Sequence, residues 1–343
     1  EISYYDDIAI DAIIQSVDRK IVVGGTYFDG NKKNMALVRY NTNGTIDTTF
    51  GTVGKLSISI DINTTELKAM SYMQEGEYII VGGVNLNEVS GKYDFTVTRV
   101  TNTGVIDTNF GTDKTGSVKF SLGKGDNILT SIVIENPLTV DTTYDANSHK
   151  IYIGGYIFNT LTRFYEFGII RLLRSGKLDT TFNSIGANST PGKIIFKFER
   201  TEDCMTRKIL LGTDIKNMIV GGYVYNTTNK CYEMAFNRFQ DDEVSVNEGK
   251  KLFKFSDTNT DSILTSMEQI NTFVLATNTI ATITVTNVAE AGTGTGLIIS
   301  NIFIEDSYAL GSTLITSFNI SSGGSGYNTG DRFYIIYNSA TNN

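Results

Sequence analysis

The feature that most constrains this chain is an internal repeat built around a pair of adjacent glycines. Each pair ends a short apolar run, and the first glycines stand at positions 24, 82, 154 and 221, at intervals of 58, 72 and 67 residues. Such a period is typical of architectures in which each unit packs on its neighbours. The paired glycines are Gly24, Gly25, Gly82, Gly83, Gly154, Gly155, Gly221 and Gly222.

An arginine follows each glycine pair at a nearly constant distance. Eight residues past the first three arginines stands an aspartate, inside the phrase Gly-x-[Ile/Leu]-Asp-Thr-x-Phe. A specific site is usually made once, so residues that recur in every unit are expected to pair and fix a turn rather than bind a ligand. The arginines are Arg39, Arg99, Arg171 and Arg238, and the aspartates are Asp47, Asp107 and Asp179.

Each unit reads as four short strands. The first is apolar with polar ends, and the second is a continuous apolar run, as expected of a strand that is buried on both faces. The third and fourth alternate and are separated by a turn that contains glycine. Four antiparallel strands per unit predict the blades of a β-propeller, and blades must stack because one alone cannot bury its faces.

The repeats predict an all-β chain of two domains. Residues 1–276 form a β-propeller-like array of four complete blades, at about 6–60, 61–122, 123–198 and 199–255, and a partial fifth over 256–276. The fifth begins like the third but lacks the glycine pair and the arginine. From residue 277 to 343 a Gly/Thr-rich composition predicts a small β-module, with strands at 281–287, 297–304, 314–320 and 333–337.

Residues 18–25 and 36–51 carry a family resemblance. The second segment reads Ala-Leu-Val-Arg-Tyr-Asn-Thr-Asn-Gly-Thr-Ile-Asp-Thr-Thr-Phe-Gly and, with the first, resembles the delta-60 repeat, a unit of about sixty residues. The resemblance covers residues 6–276 and fades in the fourth unit, where Asp-Asp-Glu-Val at 241–244 replaces the aspartate phrase. It implies a propeller-like β-structure in a secreted or surface protein and no particular activity.

A second resemblance lies near the C-terminus. Residues 322–331 read Ser-Gly-Gly-Ser-Gly-Tyr-Asn-Thr-Gly-Asp and resemble the glycine-rich turns of β-modules in phage and large-virus structural proteins. The chain is also rich in Ile, Asn and Lys and has no Trp. Together these features favour a component of a virus particle.

Composition excludes several classes of partner. The formal net charge is −8, and no run of Lys or Arg is longer than two residues. Nucleic acids and anionic bilayers need a basic patch, so we predict no nucleic-acid partner. No stretch approaches the roughly 18–20 consecutive apolar residues of a membrane span, so none is predicted.

Segment 41–47, Asn-Thr-Asn-Gly-Thr-Ile-Asp, leaves two interpretations open. Alternating oxygen ligands suit a calcium ion, whereas a turn aspartate commonly binds a backbone N–H. In the third unit Leu173 and Ser175 stand at the would-be ligand positions with Arg174 between them, which favours the turn, and we predict no metal. The glycine pairs precede no helix and therefore predict a bulge or a close approach of blades, not a phosphate loop.

The candidate binding residues are aromatic. They fall where we expect the loops between the second and third strands, interleaved with Asn and Thr, and such residues suit sugar rings or a protein partner. Packing between blade edges is the alternative. The candidates are Tyr27, Phe28, Tyr156, Phe158, Tyr223 and Tyr225.

No catalytic residue or cofactor is predicted. His149, the one histidine, is expected on the surface because no Cys-His or Ser-His-Asp phrase surrounds it. Cys204 and Cys231 flank strands about two spacings of 4.8 Å apart, beyond the roughly 7 Å limit between disulfide Cα atoms, so we expect free thiols. Acidic clusters at 6–7, 202–203 and 241–243 leave a hydrolase open, although solvated charges explain them more simply.

Together these features predict a non-enzymatic structural or attachment protein, a virion or surface-fibre component that uses a β-propeller as a rigid interaction platform. The expected partners are other structural proteins or further copies of the chain, and the expected location is the virion or the extracellular surface. The alternative is a secreted or surface glycan-binding propeller, a lectin or adhesin, with glycans bound by the aromatic residues.

Overall fold

The computed structural model describes most of the repeat domain and part of the C-terminal region. The described residues are 7–135, 149–184, 190–198, 201–211, 217–240, 250–253, 263–264, 279–280, 295–307 and 312–325. Within them every regular element is a β-strand. The chain divides into two compact units, Glu1–Gln269 and Ile270–Asn343.

The first unit contains four antiparallel sheets, here called blades 1 to 4, each of four strands. Blade 1 consists of β1 (Ile8–Ile14), β2 (Ile21–Phe28), β3 (Lys33–Tyr40) and β4 (Lys55–Ile58). Blade 2 consists of β5 (Thr65–Met73), β6 (Tyr78–Asn87), β7 (Lys92–Val100) and β8 (Ser117–Phe120). Blade 3 consists of β9 (Asn127–Ile134), β10 (Ile151–Asn159), β11 (Phe164–Leu172) and β12 (Lys193–Phe196). Blade 4 consists of β13 (Thr201–Leu211), β14 (Asn217–Asn226), β15 (Cys231–Gln240) and β16 (Lys251–Phe253).

The blades have the predicted propeller-like topology. In every blade the strands lie side by side in chain order, each antiparallel to the next. The all-β prediction and the four complete blades are confirmed. The predicted partial fifth blade lies outside the described residues except for 263–264, and the boundary near residue 276 stays a prediction.

The second unit holds a three-stranded sheet in its described residues. Its strands are β17 (Thr279–Ile280), β18 (Thr295–Ser307) and β19 (Ser312–Ser325), paired antiparallel in that order. Two strands predicted for the C-terminal module, at 297–304 and 314–320, lie within β18 and β19. Those predicted at 281–287 and 333–337 fall outside the described residues.

The second glycine of each pair makes room for a bulge in the same blade. Opposite every pair the first strand shifts register by one residue, as between Leu67 and Ala69, which pair with Gly83 and Gly82. A Cβ at Gly83 would overlap the carbonyl oxygen of Glu66, which the bulge pushes toward it. The same conflict recurs at Gly25, Gly155 and Gly222. Only glycine leaves this space at a position where a backbone bends toward its partner strand.

The first glycine of the first three pairs makes room for the next blade. A Cβ at Gly82 would meet the side chains of Ile132 and Leu129, which belong to the first strand of blade 3. Gly24 faces blade 2 in the same way, and Gly154 faces blade 4. Large aliphatic side chains of one blade therefore rest on the bare backbone of the blade before it.

Among the described residues the hydrophobic core consists of three layers, each between two consecutive blades. The layer between blades 1 and 2 joins Leu37 and Phe50 to Leu67 and Val81, all fully buried. The other two layers join blades 2 and 3, and blades 3 and 4. Burying each large apolar side chain contributes about 1.5–3 kcal/mol, so the blades are stabilised mainly by their contacts with each other.

In the bulged strands some backbone N–H groups find no partner on the adjacent strand of the same blade. Side-chain oxygens of the neighbouring blade accept hydrogen bonds from some of these groups. The N–H of Leu67 donates to Thr26 Oγ1 at 3.0 Å, and that of Met70 donates to Asp11 Oδ2 at 2.8 Å. At the third interface the N–H of Ile209 donates to Ser131 Oγ at 3.1 Å. Because a buried unpaired donor is costly, these bonds fix the register between blades.

One part of the strand prediction is wrong for blade 1. We expected every second strand to be buried on both faces, and β6 is buried along most of its length. In β2, however, buried and half-buried residues alternate. The reason is positional: blade 2 is packed between two neighbours, whereas one face of blade 1 has no neighbour among the described residues.

Substitution of the two adjacent glycines of blade 2 tests their different roles. Gly83 makes room for the bulge within the blade, and Gly82 makes room for the next blade. Gly83→Ala places a methyl group against rigid backbone, so we expect a loss of about 3 kcal/mol in the free energy of unfolding. Gly82→Ala meets only the ends of flexible side chains, and we expect about 1 kcal/mol. Urea unfolding of both variants measures the difference. Equal losses would contradict the bulge as the reason for the second glycine.

Candidate functional site

The recurring arginine and aspartate pair within each of the first three blades. Arg39 Nε donates to Asp47 Oδ2 at 2.7 Å, and Asp47 returns its backbone N–H to the carbonyl of Arg39 at 2.9 Å. Arg99 and Asp107 make the same contact at 2.9 Å, as do Arg171 and Asp179 at 2.8 Å. All six residues are buried. Each pair closes the loop between the third and fourth strands.

The arginines of blades 1 and 2 also reach into the following blade. Arg39 Nη1 donates to the carbonyl of Asn102, in the turn that follows β7 of blade 2. Arg99 Nη1 donates to the carbonyl of Arg174, in the corresponding turn of blade 3, at 2.6 Å. Charged donors make hydrogen bonds roughly twice as strong as neutral ones. One buried guanidinium therefore ties its own loop to the next blade.

Two further residues complete the contact between neighbouring blades: the phenylalanine that ends the aspartate phrase and the glycine that follows it. The N–H of Gly51 donates to the carbonyl of Thr103, and that of Gly111 donates to the carbonyl of Ser175, both at 2.8 Å. Phe50 lies 4.7 Å below the guanidinium of Arg39 and supports it by a cation–π contact. We call this set the blade latch. It consists of Arg39, Asp47, Phe50 and Gly51 in blade 1, and of Arg99, Asp107, Phe110 and Gly111 in blade 2.

Each latch enters a receiving turn, which is residues 101–105 in blade 2 and 173–177 in blade 3. A glycine in each turn, Gly104 or Gly176, has positive φ and lies against the phenylalanine of the incoming latch. Sequence reasoning treated these turns only as chain reversals. These turns also receive the latch of the preceding blade. The sequence signal for that role is the glycine that opens every Gly-x-[Ile/Leu]-Asp phrase.

Blades 3 and 4 depart from the pattern. Blade 3 keeps Arg171, Asp179 and Phe182 but has Asn183 in place of the glycine, with φ of 51°. The sequence positions of blade 4 that are equivalent to this receiving turn are 240–244, of which 241–244 lie outside the described residues. Arg238, the fourth recurring arginine, is exposed, unlike the other three.

Electrostatics favour the ionised carboxylate of Asp47 and of Asp179. Burial by itself would raise the pKa of the Asp47 carboxyl, but hydrogen bonds from Thr49 and Lys20 hold that pKa well below its ordinary value. The charge of Arg39 acts in the same direction. The corresponding groups of blade 3 lower the pKa of Asp179. Both carboxylates are therefore charged at neutral pH, as their partners require.

Segment 41–47 forms a turn whose polar atoms bond within the chain. Asn43 Oδ1 accepts from the N–H of Thr45 at 3.1 Å, and Asp47 Oδ1 accepts from the N–H of Thr49, also at 3.1 Å. The other Asp47 oxygen bonds to Arg39. The described residues contain no group of three or more His, Cys, Asp or Glu that is placed to hold a metal ion.

The six candidate aromatic residues lie on strands, so their predicted placement in loops is wrong. Tyr156 and Phe158 both meet Tyr165 edge-on, with ring centroids 5.2 and 5.3 Å apart. Blade 4 repeats this aromatic triad with Tyr223, Tyr225 and Tyr232, at 5.4 and 5.3 Å. Tyr27 and Phe28 end β2, and the Tyr27 hydroxyl lies 2.6 Å from Ser57 Oγ.

An exposed arginine lies at the aromatic triads. Arg207 stacks over Tyr223 at 5.0 Å and donates to its hydroxyl at 2.9 Å. Tyr223 is buried, whereas Tyr156 and Phe158 are half-buried. Burial raises the pKa of Tyr156, so its hydroxyl stays neutral and can donate or accept hydrogen bonds. The two triads thus combine aromatic rings with polar groups that can form hydrogen bonds.

His149 is buried, with 8% of its surface exposed, so the expected surface position is wrong. Its Nδ1 lies 3.1 Å from Glu75 Oε2, and Glu75 also pairs with Arg174 at 3.0 Å. Glu75 belongs to the β5–β6 turn of blade 2, and the other two residues belong to blade 3. These three side chains do not recur at equivalent positions of the repeats, which is why no pattern predicted an ionic contact between the blades.

Both cysteines are free thiols, as predicted. Cys204 and Cys231 are each 1% exposed, and Cys204 Sγ lies 3.3 Å from Thr201 Oγ1. Burial raises the pKa of the Cys204 thiol, which makes the reactive thiolate scarce at neutral pH.

Of the acidic clusters, only 202–203 and Asp7 are described. Asp203 Oδ1 accepts from the N–H of Tyr165 at 3.3 Å and so joins blade 4 to blade 3. Asp126 does the same for Tyr93 of blade 2, at 3.0 Å. Residue 6 and residues 241–243 lie outside the described part of the chain.

Part of blade 1 is similar to a family of known sequences. The family model of a β-propeller domain of unknown function, DUF5122, matches residues 18–50. These residues contain β2, β3, the first glycine pair and most of the blade 1 latch. The delta-60 name and the viral likeness of residues 322–331 stay predictions.

Among solved structures, the chain is similar to the β-propeller domain of Cps50 (Swd1) from Myceliophteria thermophila. The identity is 9%, the match covers 72% of each chain, and the TM-score is 0.29. No curated protein matches the chain significantly in sequence. In the described part of the chain, no helix is long and apolar enough to cross a bilayer.

Removing a latch arginine should cost far more stability than removing a surface arginine. Arg99→Met leaves Asp107 buried without its cation, and we expect a loss of about 3–5 kcal/mol. Arg163→Met, in the exposed turn of blade 3, is the matched control and should change stability by no more than about 0.5 kcal/mol. Guanidinium unfolding measures both variants. Similar losses for the two would contradict the latch.

The depressed pKa of Asp47 predicts an acid-sensitive part of the stability. A carboxyl whose pKa is lower in the folded state stabilises the protein fully above its unfolded value of 3.8, and this contribution disappears as pH falls through the folded value. The free energy of unfolding should therefore fall between about pH 5 and pH 2, and less steeply in Asp47→Asn than in wild type. Parallel profiles for the two proteins would contradict this assignment.

Proposed function

We propose that this chain is a non-enzymatic structural or attachment protein, a component of a virion or surface fibre. Its propeller-like array serves as a rigid platform on which other structural proteins, or further copies of the chain, assemble. The proposed location is the virion or the extracellular surface.

The observation that carries this proposal is the use of the recurring polar residues. In the first three blades the arginine and the aspartate are buried against each other, and in blades 1 and 2 the arginine also bonds to the next blade. The residues that the repeats retain thus hold blades together. Because the recurring charged residues fix one blade to the next, the chain is suited to present surfaces at constant spacing.

The C-terminal region supports the assignment to a particle. Residues 322–331 resemble the glycine-rich turns of phage and large-virus structural proteins. In this role the C-terminal β-module joins a neighbouring subunit while the blades face other partners.

Quantitative mass spectrometry and electron cryomicroscopy of purified assemblies from the native source test this function. We expect the chain at a fixed copy number per assembly and at symmetry-related positions. Recovery of the chain only as a free soluble protein would contradict the proposal. Arg163→Met provides a control, because it should assemble like wild type.

A glycan-binding role is the second candidate, and the aromatic triads of blades 3 and 4 favour it. Half-buried rings beside an exposed arginine can stack on sugars and bond to their hydroxyls. Binding on a glycan array that is lost in Phe158→Ala, and retained in Leu161→Ala in the adjacent exposed turn, would support this role. An array without binding would remove it.

A further inference from the structure

The face of blade 1 that points away from blade 2 is uncovered by any described residue. On β1, Ala9 and Ala12 are exposed, and Ile14 is 56% exposed. Leu67 and Met70 occupy the positions of Ala9 and Ala12 in blade 2, where they rest on Gly24 of blade 1 and are at most 5% exposed. The blade 1 face thus has the strand and bulge of a blade interface but lacks a neighbour in the described part of the chain.

The next two strands of blade 1 show the same contrast. Val23 of β2 and Val38 of β3 are half-buried. Their equivalents in blade 2, Val81 and Thr98, are fully buried beneath blade 1. The uncovered surface therefore extends over three strands and is apolar, which is the kind of surface that marks an interaction site.

The receiving turn of blade 1, residues 41–45, holds no latch from the described part of the chain. The carbonyls of Thr42 and Asn43 stand where Asn102 and Thr103 accept the first latch in blade 2, and no hydrogen bond within the described residues reaches them. A Cβ on Gly44 would meet no atom within 4 Å, whereas the equivalent Gly104 lies against a latch. The described residues thus leave two carbonyl acceptors and the adjacent apolar face uncovered.

The interfaces within the chain indicate what fits such a face. Twice, an equivalent face and receiving turn are covered by a blade that supplies an arginine, a phenylalanine and a glycine N–H. The two complete latches of the described residues are bound to blades 2 and 3. A second copy of this chain therefore has neither of them to offer without unfolding its own interface.

We propose that the uncovered face of blade 1 and turn 41–45 form a docking site for a repeat unit of the same kind carried by another protein. The arginine of the docking unit donates a hydrogen bond to the carbonyl of Thr42. The glycine N–H of the unit donates to the carbonyl of Asn43. This proposal rests on the platform function above and names the partner class. Since purified proteins suffice to test docking, failure here is distinguishable from failure of the particle experiment.

The small residues of β1 add a size requirement. At the first interface a glycine of blade 1 faces Leu67 and Met70 of blade 2. On the uncovered face the corresponding residues are Ala9 and Ala12, so a glycine there would leave a void. The docking unit should therefore carry a larger aliphatic residue at the position of Gly24, because close packing requires complementary volumes.

A tethered probe unit tests the site on the full chain. The probe is a copy of residues 7–60 with Gly24→Leu, fused ahead of the chain through a linker that a specific protease cleaves. We expect amide exchange at Ala9 and Ala12 of the original blade 1 to slow at least tenfold. After cleavage the probe should co-elute with the chain at micromolar concentration.

Two matched variants make the result specific. Arg39→Met in the probe alone removes the latch, and Ala12→Lys in the chain alone places a charge on an already exposed position. Either change should release the cleaved probe and restore fast exchange, while the chain remains folded.

Three outcomes would overturn the proposal. The first is a tethered probe that leaves exchange in β1 unchanged. The second is a chain without probe whose β1 amides are already as protected as those of Met70, since another part of the chain would then cover the face. The third is a dimer of the unmodified chain that Ala12→Lys dissociates, because the occupant would then be a second copy.

Discussion

The close approach of consecutive blades is the constraint on which the rest of this structure depends. Leu67 and Met70 rest on the backbone of Gly24, and the same relation recurs at the next two interfaces. At that separation a guanidinium can cross from one blade to a turn of the next, as Arg39 does. Hydrophobic layers and latches thus form together, and each blade completes the one before it.

The repeats assign different tasks to different parts of a blade. Glycine pairs and latches hold the array, so they recur, whereas the ends of the strands carry residues that differ between blades. The aromatic triads occur only in blades 3 and 4 of the described residues, and the contact of His149 with Glu75 occurs between blades 2 and 3. A platform built this way can change its surface without changing its interior.

The sequence alone could predict the strands within each blade. It could not predict the contacts that each blade makes with adjacent blades. The four strands of each unit follow from the sequence, and β4, β8 and β12 form the expected fourth strands, because local alternation and turns determine them. The alternating burial of β2 was missed because it depends on what covers the blade. The receiving turns and the burial of His149 were missed for the same reason, since both arise from contacts between loops of different blades.

Amide hydrogen exchange at Gly51 and Gly111 tests the central claim most directly. Both residues lie in loops, where an N–H ordinarily exchanges quickly, but each donates across a blade interface. The account predicts that both amides exchange as slowly as those of the central strands β6 and β10. Exchange at the rate of an exposed loop, while the strand amides stay protected, would show that the blades stack without latches and would contradict it.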